Sequence, residues 1–334
     1  RSNVGVLATR RGPAVGAAGA VTDEPSYTVG ADATMLFLTS INLTGYSART
    51  EGPAAAAARV DGTSYRGRFD FTTDRYGAAA EHMLIGPGFQ PEVGFVRRTD
   101  VRRSFGQLRF SPRPARNTLV RKLTWQAGLD YLTDAAAIAL QNREASGLFR
   151  IDFQSSDQLS FEHSREYELL PARFQISPGV FVPAGGYDYH LTRATYNLGQ
   201  QRPLSGRLTT AGGTLYDGTR WEAGYNGRWG ITPRFSLEPT VSLNWVHLPY
   251  GDFTAHLAGT RVTVTPSARM VISSLVQWNA GAGSLTSSAR LRWEYTGGSE
   301  LFVVYSDGRD TGVSGFPALL NRTLAVKVTR LFRF

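Results

Sequence analysis

Hydrophobic and polar residues alternate along most of this 334-residue chain. Between Trp221 and Ile231, aromatic, aliphatic and small residues occupy every second position, and mostly polar residues lie between them. The next segment, from Phe235 to Trp245, repeats the two-residue period. A period of two over such lengths indicates β-strands with one apolar face and one polar face. The pattern therefore predicts an all-β fold made of long strands.

Extended along the chain, the same period predicts about 18 strands. They cover residues 3–10, 26–37, 41–49, 57–72, 75–85, 104–112, 118–132, 144–154, 158–169, 186–199, 203–216, 219–231, 234–248, 252–266, 268–280, 284–297, 300–309 and 321–334. Turns such as 73–74 are short, whereas every second connection can be longer, as at 170–185. Outer-membrane barrels sort short turns and long loops onto opposite sides in this way. We therefore expect residues 1–334 to form a single transmembrane, antiparallel, up-and-down β-barrel domain.

The spacing of aromatic residues agrees with the thickness of a bilayer. Trp221 and Trp229 share the apolar face and lie about 26 Å apart along an extended strand. A strand tilt of about 40° reduces this distance to roughly 20 Å, close to the ~25 Å lipid-facing band between aromatic girdles. The alternative is that these aromatic residues pack in the core of a soluble protein.

Composition narrows the function classes. Cysteine is absent, which excludes disulfide bonds and thiolate sites. The mean hydropathy is −0.22, and no apolar run approaches the ~18–20 residues of a membrane-spanning helix. Arginine carries nearly all the positive charge behind the net charge of +9, because Lys122 and Lys327 are the only lysines. These arginines are scattered along strands beside carboxylates, so we expect no nucleic-acid partner.

The last strand, NRTLAVKVTRLFRF, alternates up to the final residue. Phe332 and Phe334 match the terminal aromatic signal that outer-membrane barrels present to the barrel-assembly machinery, and we expect this machinery and outer-membrane lipid as partners. The alternative is an edge strand of a soluble protein. Arg165 and Arg330 fall on the lipid-facing side of the pattern, where an arginine is costly at the midplane of the bilayer. We therefore expect Arg330 to lie near an interface or at a local bulge.

Several segments together resemble a known family. They are Arg1–Arg11 (RSNVGVLATRR), Pro91–Arg103 (PEVGFVRRTDVRR), Ser288–Tyr295 (SARLRWEY), Leu301–Tyr305 (LFVVY) and Asn321–Phe334. The family is the outer-membrane β-barrel domain of unknown function that usually follows an N-terminal module like family 9 carbohydrate-binding modules. The resemblance implies a location in the outer membrane of Gram-negative bacteria and supplies no catalytic residues. It also implies that the chain is N-terminally truncated, so that the binding module and some strands precede residue 1.

Charged residues crowd the predicted polar faces. The candidates for a lumen or selectivity surface are Arg66, Arg68, Asp70, Glu222, Arg228, Arg290, Arg292 and Glu294, and a further strand carries Glu162, Glu166 and Glu168. Such residues could orient polar or anionic solutes. Alternatively, they could form a solvated ladder of ion pairs that serves only the wall.

The segment Pro91–Arg103 is predicted to be a long loop that folds in and narrows the channel. Its hydrophobic residues are Val93, Phe95 and Val96. The constriction candidates are Arg97, Arg98, Asp100, Arg102 and Arg103. The alternative is a structural tether that forms salt bridges to acidic residues of the wall.

No enzymatic, metal or cofactor signature emerges. None of the five histidines is followed two residues later by serine, as membrane phospholipases and deacylases require, although Thr192 follows His190. No nucleophile elbow, phosphate loop or metal-spaced histidine pair is present. The sequence DGRDTG at 307–312 could bind calcium, but turn formation explains its Asp and Gly residues equally well.

The sequence therefore predicts an outer-membrane barrel with a polar, Arg/Glu-lined lumen for passive or facilitated passage of polar solutes, glycans being one candidate. A second hypothesis is a plugged, non-conducting anchor that displays an N-terminal carbohydrate-binding module or docks a partner. A third is an integral-membrane hydrolase. We expect no enzymatic activity and no cofactor. Conductance separates the first hypothesis from the second, and hydrolysis of a lipid or glycan would favour the third.

Overall fold

The computed structural model describes residues 2–12, 25–52, 60–312 and 315–332. These residues form β-strands and turns. The strands are β1 (Ser2–Arg11), β2 (Ser26–Phe37), β3 (Ile41–Glu51), β4 (Thr63–Thr72), β5 (Tyr76–Ile85), β6 (Val101–Phe110), β7 (Val120–Thr133), β8 (Leu140–Phe153), β9 (Gln158–Leu170), β10 (Phe174–Ser177), β11 (Val180–Val182), β12 (Gly185–Leu198), β13 (Leu204–Leu215), β14 (Gly218–Thr232), β15 (Phe235–His247), β16 (Phe253–Ser267), β17 (Met270–Asn279), β18 (Ser284–Thr296), β19 (Ser299–Asp310) and β20 (Ala318–Thr329). None of the described residues forms a helix long and apolar enough to cross a bilayer.

Eighteen strands form one sheet in which each strand pairs antiparallel with the next along the chain. The short strands β10 and β11 pair only with each other, so β9 pairs with β12 across them. The predicted all-β, up-and-down arrangement is confirmed, and each of the 18 predicted strands overlaps an observed strand. Two predicted ends are wrong: β4 begins at Thr63 rather than at 57, and β20 ends at Thr329, so that residues 330–332 lie outside it. Within the described residues no pairing joins β1 to β20, so the sheet is open between these two strands.

The strand register divides the side chains into two faces. Arg68, Glu81 and Asp130 lie on the face that we call the polar face, since Arg68 pairs with Glu81 and a continuous register leads on to Asp130. The opposite face, the apolar face, carries Trp221 and Trp229 at positions that alternate with polar residues of β14. Side chains of successive residues point to opposite sides of a strand, so one register determines both faces.

The apolar face has no protein layer over its tryptophans. Trp221 is 59% exposed and Trp229 is 48% exposed. Near the short turns, four aromatic rings stack across neighbouring strands with centroids 5.3–5.9 Å apart, from Tyr76 through Phe110 and Trp125 to Phe149. In a soluble core these rings would be buried, and so the alternative of a packed soluble core is wrong for these residues.

The connections differ between the two ends of the sheet. On one side, the short-turn side, 38–40, 73–75, 233–234, 268–269 and 297–298 join the strands. On the other, the long-connection side, the chain runs through 86–100 and 171–184. The rule has exceptions, because 111–119 is longer than predicted and 216–217 is a tight turn among the long connections. The predicted asymmetry therefore holds for most of the sheet.

The long connection 171–184 folds back over the polar face. Its strands β10 and β11 form a hairpin, and Val182 is fully buried. Around Val182 lie Tyr187, Leu215 and Val246 from three strands of the sheet, together with Leu170 and Leu248. This cluster is the main apolar core of the described residues, and it lies beneath a loop rather than between two layers of sheet.

Candidate functional site

A buried carboxylate forms the centre of the largest charged cluster on the polar face. The side chain of Glu81 is only 1% exposed. Its carboxylate accepts hydrogen bonds from Arg66 Nη2 at 2.6 Å, Arg103 Nη1 at 2.8 Å and Arg68 Nη1 at 3.2 Å. The register brings these residues together, because Arg68 pairs directly with Glu81 while Arg66 and Arg103 both pair with Met83.

The cluster extends to two further carboxylates. Arg68 donates from Nε and Nη2 to Asp70, both at 2.7 Å, in a two-pronged ion pair. Arg103 donates from Nε to Asp130 at 2.9 Å. Three guanidinium groups and three carboxylates thus form one network whose formal charge is zero. Charge-assisted, bidentate hydrogen bonds of this kind fix side-chain positions and strengthen one another at low dielectric.

Beyond the network, acidic residues face each other across β7, β8 and β9. Asp130 pairs with Glu144, and Glu144 pairs with Glu166. Among the described residues, neither Glu144 nor Glu166 has a cationic side chain within 4.0 Å. Like charges at directly opposite positions are unfavourable. These two glutamates and Glu162 line a cavity of about 290 Å³ whose wall also includes Arg193 and Arg220. Both arginines form ion pairs with Glu222, so the three glutamates leave local negative charge on the polar face.

A second charged group lies on β12 to β16. Glu222 forms ion pairs with Arg193, at 3.4 Å, and with Arg220. Arg228 lines a larger cavity of about 770 Å³, whose wall also includes Arg207 and Arg261. The predicted residues Glu222 and Arg228 therefore lie on the polar face but belong to different groups.

The third predicted group, Arg290, Arg292 and Glu294, is divided between contacts within the sheet and a contact with a turn. Arg292 forms an ion pair with Glu300, and the guanidinium of Arg290 lies 5.8 Å from the Phe302 ring centroid. Glu294 Oε1 accepts a hydrogen bond from the backbone N–H of Gly298 at 2.9 Å. Glu294 therefore stabilises a short turn.

The five candidates from Pro91–Arg103 do not lie together. Arg97, Arg98 and Asp100 are exposed, and Asp100 accepts a hydrogen bond from the Ala135 N–H at 3.2 Å. The strand β6 begins three residues earlier than predicted, so Arg102 and Arg103 are strand residues that point to opposite faces. Two of the three hydrophobic residues predicted to fold inward are exposed, Val93 by 68% and Phe95 by 88%, whereas Val96 is half-buried.

The segment that does fold over the polar face is the hairpin β10–β11, which lies within the long connection predicted at 170–185. Glu168, at the end of β9, lies beside it and accepts hydrogen bonds from Tyr189 at 3.3 Å and Tyr216 at 3.4 Å. Burial and the nearby Glu168 charge raise the pKa of Tyr216, in the tight turn, to about 12. Tyr216 therefore remains a neutral hydrogen-bond donor at physiological pH.

The segment 307–312, a candidate calcium site, uses its carboxylates in contacts within the protein. Asp310 Oδ1 accepts a hydrogen bond from Gly312 N–H at 2.7 Å, and Asp307 forms an ion pair with Arg309 at 3.0 Å, so the 307–312 segment uses its carboxylates in turn and ion-pair contacts. No group of three or more metal-ligating side chains occurs in the described ranges. Phe332 is exposed, whereas Phe334 lies outside the described residues.

Comparison with known proteins gives distant structural similarity. No family model matches the chain, and no curated protein matches it. A ferric enterobactin receptor variant from Pseudomonas aeruginosa is similar over 97% of this chain and 71% of its own, with 8% identity and a TM-score of 0.40. The siderophore receptor PirA from Acinetobacter baumannii is similar over 97% and 73%, with 8% identity and a TM-score of 0.37. The pairing of the strands, rather than these similarities, carries the assignment of an all-β, up-and-down fold.

Proposed function

We propose that this chain forms the wall of a barrel in the outer membrane of a Gram-negative bacterium, and that its polar face lines a path for polar solutes. One observation carries the proposal: a single sheet presents exposed tryptophans on one face and a network of ion pairs around the buried Glu81 on the other. A bilayer accommodates the first face as its lipid-facing band, and water accommodates the second. Outer-membrane lipid and the barrel-assembly machinery are then the proposed partners, and Phe332 is part of the proposed assembly signal.

The charges on the polar face favour particular solutes. The network around Glu81 is balanced, so it supports the wall without attracting either sign of charge. Glu144 and Glu166, which among the described residues have no cationic side chain within 4.0 Å, favour cations or hydroxyl-rich solutes. Glycans remain a candidate solute only through the family resemblance.

Planar-bilayer recordings test this path. The wild-type protein should conduct, and Glu144→Gln/Glu166→Gln should shift the reversal potential in a salt gradient towards anion selectivity. Glu51→Gln is the matched control, because Glu51 lies on the apolar face and pairs with Arg49. A wild-type protein that never conducts, or equal reversal potentials for both variants, would contradict the proposed path.

A second candidate function is a plugged, non-conducting membrane anchor, which the hairpin β10–β11 favours. The hairpin covers part of the polar face, with Val182 packed against Tyr187 and Val246. Replacing residues 174–182 with a short Gly-Ser linker should raise conductance if the hairpin obstructs the path. A silent wild type that conducts after this replacement would identify the hairpin as a plug.

The roles of Arg97 and Arg98 stay predictions of the same proposal. If these exposed residues border the solute path, then Arg97→Ala/Arg98→Ala changes anion-versus-cation selectivity in the same recordings. Unchanged reversal potentials would remove both residues from the path. We propose no catalytic role for the chain.

A further inference from the structure

Arginines occur on the apolar face, and their distribution is one-sided. Among the described residues, the arginines at paired positions on this face are Arg10, Arg49, Arg102, Arg143, Arg165, Arg309 and Arg322. Each lies in the half of its strand that is nearer the long-connection side. An arginine in hydrocarbon costs ~2–4 kcal/mol at the midplane and close to zero at the interface. This one-sided distribution fits arginines that lie towards one interface of the proposed bilayer.

Two of these arginines form a compact patch with one carboxylate. Arg143 Nη2 and Arg165 Nε both donate to Asp188 Oδ1, each at 3.2 Å. The register places Arg143 between Tyr131 and Tyr167, in a row of side chains on the apolar face. Tyrosines at this position are typical of the boundary between lipid tails and headgroups.

The patch of Arg143, Arg165 and Asp188 carries a net positive charge. Two guanidinium groups share one carboxylate, so the formal charge of the patch is positive. The Arg165 side chain is 66% exposed, and its guanidinium extends towards Asp188, which lies two residues nearer the long-connection side than its directly paired residue, His190. A guanidinium group offers donors in a planar fork that fits phosphate oxygens in pairs.

We propose that Arg143 and Arg165 bind the phosphate of an outer-leaflet lipid headgroup, with Asp188 holding both guanidinium groups in place between lipid encounters. This proposal rests on the proposed membrane location. Charge complementarity identifies the occupant. The patch is cationic, it borders the proposed hydrocarbon on the side facing the short turns, and it lies among aromatic residues at headgroup height. A phosphorylated lipid satisfies all three conditions, because it brings acyl chains and phosphate together.

Lipid binding by the purified protein in detergent tests the proposal, with bis-phosphorylated lipid A as the probe and native mass spectrometry as the readout. Arg143→Gln/Arg165→Gln should weaken binding by about tenfold or more, since each basic residue near an anionic surface contributes on the order of one kcal/mol. Asp188→Asn should strengthen binding, because the internal competitor for both guanidinium groups is removed. Arg143→Lys/Arg165→Lys should show an intermediate loss, since charge remains without the planar fork.

The control variant Arg207→Gln/Arg261→Gln removes the same charge from the polar face and should bind like the wild type. Dephosphorylated lipid A should bind at least tenfold more weakly than the phosphorylated form, and inorganic phosphate should not displace the lipid. Wild-type binding by Arg143→Gln/Arg165→Gln, equal binding of dephosphorylated lipid, or displacement by inorganic phosphate would each overturn the proposal.

A separate measurement distinguishes this failure from failure of the proposed function. Heat-modifiable migration and a requirement for detergent report the membrane barrel, and each variant is first checked by them. A protein that meets both criteria but shows no phosphate-dependent lipid binding overturns the patch alone. A protein that is monodisperse without detergent overturns the membrane location as well.

Discussion

Replacing Glu81 with glutamine removes the central negative charge of the network while keeping the side-chain shape. Three guanidinium groups, at 2.6, 2.8 and 3.2 Å, would then share only Asp70 and Asp130. Breaking a fully buried ion pair from one side costs about 3–5 kcal/mol. The three arginine side chains are each about one-third exposed, so water screens part of the uncompensated charge. We therefore expect Glu81→Gln to lower the free energy of unfolding by about 2–3 kcal/mol.

Urea unfolding of the protein in phospholipid vesicles, followed by tryptophan fluorescence, measures this difference. Glu51→Gln is the matched control, because its partner Arg49 lies 3.2 Å away and both side chains are 66% exposed. Exposed pairs contribute about 0–1 kcal/mol, so this control should remain near the wild type. The double variant Glu81→Gln/Arg66→Gln should recover part of the loss by removing one unpaired cation. Equal unfolding free energies for Glu81→Gln and Glu51→Gln would refute the reasoning.

Three further predictions concern other parts of the sheet. Val241→Arg places a charge on the apolar face and should lower the free energy of unfolding in vesicles by about 2–4 kcal/mol. Thr240→Arg places the same charge on the polar face and should change this free energy little. Equal losses for the two variants would contradict the assignment of faces. Asp157 has its pKa lowered, chiefly by the hydrogen bond from Gly199 N–H, so its contribution to stability is present above its unfolded pKa and disappears as pH falls through the lower folded pKa. Asp157→Asn should therefore be less stable than the wild type at pH 7 and equally stable below the folded pKa, and a pH-independent difference would disprove the linkage. Gly206 has φ +143°, and a Cβ at this position would lie 2.5 Å from Gly227 Cα, so Gly206→Ala should lower the free energy of unfolding by about 1–3 kcal/mol. Gly67 has open space around it, and Gly67→Ala should leave the stability unchanged. Similar urea midpoints for the two variants would refute this.

The strands were predictable because each side chain of a strand lies on one of two faces, one apolar and one polar. Alternation such as that from Trp221 to Ile231 follows directly from one apolar and one polar face, and a register slip of one residue would exchange them. Strand ends were less predictable: β6 begins at Val101 rather than 104 because Val101, Arg102 and Arg103 pair with β5. Pairing of this kind depends on a neighbouring strand and leaves only a weak local signal.

The charged cluster could be predicted only in part. Arg66, Arg68 and Asp70 share a strand and were visible from alternation alone. Glu81 and Asp130 were missed, because their proximity to those arginines depends on the registers of three strand pairs. The hairpin β10–β11 did leave a signal, since Phe174 and Ile176 precede a Pro-Gly turn that Val180 and Val182 follow. Its position over the polar face could not be read from that pattern.

The two sheet edges, at β1 and β20, determine how such a wall can enter a bilayer. Among the described residues, the outward N–H and C=O groups of these strands have no strand partner. Hydrocarbon offers no hydrogen bonds, so each bare group would cost several kcal/mol there. A row of such groups along each strand would exceed the stability of a typical domain. Insertion and edge pairing must therefore occur together, so that hydrocarbon never meets an unpaired backbone.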